Sequence, residues 1–202
     1  MSTNWQEISR PHMSAPTLSP NPALAVVLLA LCGCAATTST HISPSPQLPV
    51  CESSATAFVA WAPQWRADQK DVAAREAAAA DGIARFFADS GCFASVSLRR
   101  VSQLSTSSIQ SAASEAGLHH DRAVAIAVRE LGPVVRLGSS RALVEGGTEV
   151  VLDIEEHAPA NPKPRSFSVH WLNGGPGVVK GVATLSQDIE AALAAGLQPG
   201  LR

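Results

Sequence analysis

Apolar positions along this chain alternate in some stretches, recur at helical spacing in others, and thin out between them. Thr56 to Trp61 reads TAFVAW, a run that predicts a short strand. From about Val72 to Ser90 the residues Ala79, Ile83, Phe86 and Phe87 fall on one helical face, with Asp71 as the expected N-cap and Gly91 as the stop. Phe93 to Val101 alternates, which predicts a second strand with Val96 and Leu98 on one face. Thr106 to Gly117 reads as a weaker surface helix. Arg122 to Leu131 predicts a strand with Val124, Ile126 and Val128 on one face. Gly132-Pro133 is expected to break it, and Val134 to Leu137 to resume it after a bulge. Past a turn at Gly146-Gly147, Thr148 to Glu156 points Val150, Leu152 and Ile154 inward. Pro159 to Pro164 reads as a turn, Ser166 to Leu172 as a strand, and Asn173 to Gly177 as the turn that ends it. The last element is a helix, with Thr184 and Gln187 as a capping box and Leu185, Ile189, Ala192, Leu193 and Leu197 as its apolar stripe.

The order is therefore β-α-β-α-β-β-β-α. Short connections make the last three strands antiparallel neighbours. The expected fold is α/β (α+β): a mixed sheet of about five strands with helices mainly on one face. No internal repeat is visible, and residues 51–202 read as a single domain.

The N-terminal third changes the picture. Ala23 to Leu31 is an apolar run without a charge, far short of the roughly 20 residues of a membrane-spanning helix. It fits the apolar region of a secretory signal. It leads into Leu31-Cys32-Gly33-Cys34-Ala35, which resembles the lipobox of bacterial lipoproteins. Residues 1–33 then form the signal peptide, and Cys34 receives the lipid. Cys32 is the competing site, but bulky Leu31 precedes it directly. The basic region expected before the apolar run is weak: Arg10 is opposed by Glu7, and a start at Met13 has no basic side chain. A buried strand or helix of an intracellular protein is the alternative. Residues 34–50 form the lipidated cysteine and a tract rich in Ala, Thr, Ser and Pro, read as a flexible tether. Ala35 after the modified cysteine implies the outer membrane, by resemblance to enterobacterial sorting.

Of the four cysteines, Cys51 and Cys92 remain after export, an even number in an oxidising compartment. Each precedes a predicted strand. If a helix joins those strands as parallel neighbours, both cysteines lie at one edge of the sheet and within bonding reach.

Composition narrows the function. Hydrophobic residues make up 46% of the chain and charged residues 16%, which favours a folded body over disorder. A net charge of −2 without a basic run gives no footprint for nucleic acid.

The stretch from Asp81 to Val96 resembles a recurring phrase of envelope lipoproteins: a helix ending in a small residue, then Gly, any residue, Phe, and a Val-bearing strand. Gly147 to Asp153, Phe167 to Trp171 and the terminal helix follow in a similar order. The resemblance is to ABC-type transport auxiliary lipoproteins and curli-secretion-type lipoproteins, and covers roughly Thr56 to Leu197. It implies a small α/β fold, a role in envelope assembly or transport, and no catalytic residues. The chain departs from these families in Cys51/Cys92, in the pair Trp61/Trp65, and in having no membrane-inserting strands of the curli pore kind.

Candidate chemistry is sparse. His119-His120-Asp121 are candidate metal ligands or a base, although a solvated loop after the Gly117 helix stop is the favoured reading. His157 and His170 are a candidate pair across the hairpin through Pro159 to Pro164. Asp153 and Glu155 share a strand face, where a solvated outer surface competes with a carboxylate pair for glycoside cleavage. Ser139, Ser140 and the serines from Ser105 to Ser108 lack a nucleophile elbow. Trp61 and Trp65 are candidate partner contacts, with burial in the core as the alternative. No cofactor or metal is expected. The sequence thus reads as a non-enzymatic outer-membrane lipoprotein, anchored by lipid and contacting envelope proteins from the periplasm. A periplasmic hydrolase and a small-ligand or lipid-binding protein are the alternatives.

Overall fold

Alternation and helical spacing translate into six strands and two helices among the described residues. The computed structural model describes residues 36–105, 107, 109, 111, 120–137, 144–158 and 161–199. All belong to one compact unit, Cys34–Arg202. The signal peptide and lipobox, with Cys32 and Cys34, lie outside the described residues, as does most of the helix expected over 106–117. The elements are β1 (Thr37–Ser43), β2 (Glu52–Pro63), α1 (Val72–Asp89), β3 (Phe93–Arg100), β4 (Arg122–Leu137), β5 (Val144–Ala158), β6 (Asn161–Pro176) and α2 (Leu185–Leu197).

They build a mixed sheet in the order β1-β6-β5-β4-β2-β3. β2 runs parallel to both β3 and β4, while β4, β5, β6 and β1 are successively antiparallel. The expected α+β class holds, with one strand more than expected. β2 is buried on both faces from Ala57 to Ala62, which explains its unbroken apolar run.

The extra strand is β1. Residues 37–43, read from composition as part of a flexible tether, pair with β6 from Thr37↔Gly174 to Ser43↔Ser168. An edge strand outside the core needs no apolar face, and only Ile42 is partly buried. The end of the supposed tether is held too. Val50 is buried in the core, and the N–H groups of Val50 and Cys51 both donate to the Leu197 carbonyl. Arg165 donates to the Leu48 and Pro49 carbonyls.

Both helices contribute to the core that covers one face of the sheet. Ala79, Ile83, Phe86 and Phe87 of α1 and Leu185, Ile189, Ala192, Leu193 and Leu197 of α2 join Val124, Ile126, Val128, Val150, Leu152, Ile154, Phe167, Val169 and Trp171 in one core. The helices approach so closely at Gly82 that a Cβ there would strike the Ser186 backbone. The expected caps differ from the observed ones. Asp71 takes a left-handed conformation and makes no side-chain cap bond. Thr184 makes none either: a 3-10 turn (Val182–Thr184) precedes α2, and the Thr184 hydroxyl donates to Asp188 Oδ2 at 2.9 Å. Gly91 ends α1 as expected, at φ 62°.

Gly132-Pro133 does not break β4. The bulge falls earlier, between Val128 and Glu130, and shifts the inward parity from Val128 to Leu131. Pro133 is tolerated because β2 pairs with β4 only as far as Val128, so that side of β4 is free of a ladder. Gly146-Gly147 is not a turn, and the turn expected over Asn173 to Gly177 comes only at its end, where Gly177 takes φ 70° and the Val178 N–H donates to the Gly175 carbonyl. Gly146 and Gly147 pair with Gly175 and Gly174 inside β5 and β6. A Cβ on Gly147 would lie 2.6 Å from the Asn173 carbonyl oxygen, so close backbone approach demands the glycine.

Cys51 and Cys92 form a disulfide with a Cα–Cα distance of 4.5 Å. The physical reason is the anticipated one: β2 and β3 are parallel neighbours joined by α1, and Glu52 pairs with Phe93 just beyond the two cysteines.

Candidate functional site

Among the described residues, the face of the sheet opposite α1 and α2 carries only a small apolar cluster. Its floor follows from alternation. In β4 the inward residues Val124, Ile126 and Val128 alternate with Ala123, Ala125 and Ala127, which therefore point outward. Register then assembles two rows of small and acidic side chains. Ala127, Asp153, Ser168 and Ser43 lie side by side across four strands, and Ala125, Glu155 and Ser166 across three. Phe58, Ala60, Ala125 and Ile109 form a small second cluster on this face, with Leu104 packed against it. The result is a groove of about 560 Å³, floored by Ala127, Ser166 and Ser168 and walled by Leu104 and Ile109.

The two groove carboxylates differ in their surroundings. Asp153 Oδ1 accepts from Ser168 Oγ at 2.6 Å, and its Oδ2 accepts from Arg129 Nη1 at 3.2 Å. Glu155 Oε1 lies 2.6 Å from His157 Nε2. The arrangement is a polar surface, hydrogen-bonded at Asp153. Asp153 and Glu155 do share a face, with Asp153 held by Ser168 and Arg129 and Glu155 beside His157. No group of three metal-ligating side chains is present among the described residues.

The other candidate residues separate. Trp61 is buried in the core, with the Arg100 guanidinium 5.5 Å from its ring centre. Trp65 packs against the core edge and donates from Nε1 to Glu76 Oε1 at 3.3 Å. The two do not form an exposed contact patch, because β2 is an interior strand. His157 and His170 are not brought together: His170 pairs with Val151, six positions back along β5 from His157, about 20 Å at strand spacing. His170 instead faces His41 of β1 and contacts Glu149 Oε1 at 2.5 Å through Nε2. His119, Ser139 and Ser140 lie outside the described residues. His120 packs its ring 5.7 Å from Phe58. The Asp121 carboxylate accepts from the Thr56 N–H at 2.8 Å and from the Thr56 hydroxyl at 2.9 Å. These two bonds hold its carboxyl below the usual carboxylate range. Asp121 thus joins the starts of β2 and β4.

Ala125, Ala127, Ser166 and Ser168 were not singled out from sequence. Their signal was present in RAVAIAV and SFSVHW, where small residues alternate with large ones. Reading it required knowing that α1 and α2 both pack on the opposite face.

Among the described residues, no helix is long and apolar enough to cross a membrane. No family model matches the chain. No curated protein matches it by sequence. Among solved structures it is similar to the PelC dodecamer from Paraburkholderia phytofirmans, with 16% identity and a TM-score of 0.41 over 78% of this chain and 96% of that one. It is also similar to protein XCC0632 from Xanthomonas campestris (DUF330), with 18% identity and a TM-score of 0.33 over 77% of this chain and 85% of that one. These values assign no function.

Proposed function

We propose that this protein is a lipoprotein of the bacterial outer membrane, anchored through Cys34, and that its domain serves as a non-enzymatic interaction module in envelope assembly or transport. The observation that carries this reading is the groove on the face of the sheet opposite α1 and α2. It is open, its floor is small and polar, and its Asp153 carboxylate is held by Arg129 and Ser168. Such a surface suits docking of a partner segment better than turnover of a substrate, which needs a free acid, base or nucleophile. The disulfide supports an oxidising compartment. The lipobox and the resemblance to envelope lipoproteins support the anchor and the setting.

The test is photocrosslinking in the native cell. A photoreactive residue is placed at Ala127, at Ser166 and, for comparison, at exposed Ala73 on α1. The reading expects one envelope protein crosslinked at both groove positions and absent at Ala73. Crosslinks that do not distinguish the groove from Ala73 would count against it.

A further inference from the structure

We infer that the end of the sheet where β1 begins is a membrane-contacting surface, inserting Val135 and Val179 into the headgroup boundary of the leaflet that holds the Cys34 lipid. The inference rests on the proposed anchoring at Cys34 and adds a second, protein-borne contact with the bilayer.

The argument starts from where the chain enters the fold. Thr37 opens β1 beside Gly174, and its hydroxyl donates to the Gly174 carbonyl at 3.2 Å. Cys34 lies three residues earlier, so extended chain gives at most about 10 Å between the anchor and this edge of the sheet. The domain is therefore held against the bilayer, end on, without the long tether that composition suggested.

The same end carries the apolar side chains that the fold leaves unused. Gly174 abuts Gly146 across the β5–β6 pair. Gly146 pairs with Val135 of β4 on its other side. The Val178 carbonyl packs directly over Gly146, and the Val178 N–H donates to Gly175. Thr37, Val135 and the loop through Val179 thus form one continuous neighbourhood. Val135 is 70% exposed and Val179 is 95% exposed, among the most exposed large hydrophobic residues described. Leu48 is the other, at 74%, and it sits beside Arg165 toward the opposite end of the sheet. An apolar side chain at nearly full exposure is costly in water and favourable at a lipid interface. A lipid chain and a second weak contact together orient a domain that the chain alone would leave free to turn.

The occupant is the bilayer itself, because the anchor confines this end to it. The experiment uses the full lipidated protein reconstituted into phospholipid vesicles. Val179→Cys, Val135→Cys and, at the far end of β6, Lys163→Cys each carry an environment-sensitive dye. Other thiols are blocked: Cys34 by the lipid, Cys51 and Cys92 by their bond. Lys163 lies about 35 Å along β6 from Gly174. A quencher attached to the lipid headgroup region is expected to quench dyes at Val179 and Val135 roughly threefold or more beyond the dye at Lys163. Equal quenching at all three positions, in protein whose intact mass shows acylated Cys34, would overturn the inference and leave the lipoprotein reading standing. Protein that carries no acyl groups and does not float with vesicles would overturn both.

Discussion

The guanidinium of Arg75 on α1 lies directly over Gly132 of β4, in the space that a Cβ would occupy. Arg75 is 7% exposed, and two of its three side-chain nitrogens are hydrogen-bonded at this spot. Nη1 donates to Glu130 Oε1 at 2.7 Å and to the Leu131 carbonyl at 2.6 Å, and Nε donates to the Lys70 carbonyl at 2.8 Å. Replacing Gly132 with Ala displaces a buried charge from all three partners. Gly132→Ala is expected to cost on the order of 3 kcal/mol, the scale of breaking a buried ion pair, measurable as a lowered midpoint in urea unfolding. An unchanged midpoint would mean that the arginine finds other partners.

The Cys51–Cys92 bond closes a loop of 41 residues between adjacent parallel strands. Loop-closure entropy assigns it about 4 kcal/mol, an upper figure for a bond without strain. The Cys51→Ser/Cys92→Ser double variant is expected to unfold at markedly lower urea. The oxidised wild type should be indifferent to alkylating agents until it is reduced.

Asp121 confers a pH dependence with a definite sign. Its carboxyl sits below the ordinary value of 3.8 because the Thr56 N–H and hydroxyl bond to its charged form. A depressed folded-state value means stabilisation that is complete above the unfolded value and lost as pH falls through the folded one. Asp121→Asn should therefore be less stable than wild type at neutral pH. The difference should stay constant down to the ordinary carboxylate range and close only below pH 3.8. A difference that persists unchanged under strongly acidic conditions would assign it to packing instead.

Gly147 tests the close approach of β5 and β6. A methyl group there meets the Asn173 carbonyl oxygen at 2.6 Å and Gly174 Cα at 2.8 Å, both backbone atoms that cannot rotate away. Gly147→Ala is expected to cost about 1–3 kcal/mol, the usual range for overpacking. Hydrogen exchange should rise at Thr148 and Asn173, which pair beside it, before it rises in the core at Leu152.

Much of the interior was legible from residue spacing. Val124, Ile126 and Val128, then Val150, Leu152 and Ile154, point inward as alternation requires, and the two helical stripes lie in the core. Even the disulfide followed from chain order, because a strand-helix-strand unit with parallel strands puts both strand starts at one edge. Burial leaves a local record, since a side chain's periodicity tells which way it faces. A pairing partner leaves none.

What tertiary structure alone decided is therefore long-range. β1 is polar and lies at an edge, so Thr37–Ser43 carries no burial signature, and only its hydrogen bonds to β6 make it a strand. Gly146, Gly147 and Gly174 read as turns because glycine serves equally in a turn and where two backbones nearly touch. The groove over Ala127, Asp153 and Ser168 exists because three strands align in register and α1 and α2 pack on the other face. His41 meets His170 across more than a hundred residues of chain for the same reason. The sequence by itself determined which residues face the core. Only the assembled sheet determined which surface residues became neighbours, since register is a relation between strands and is written in neither one alone.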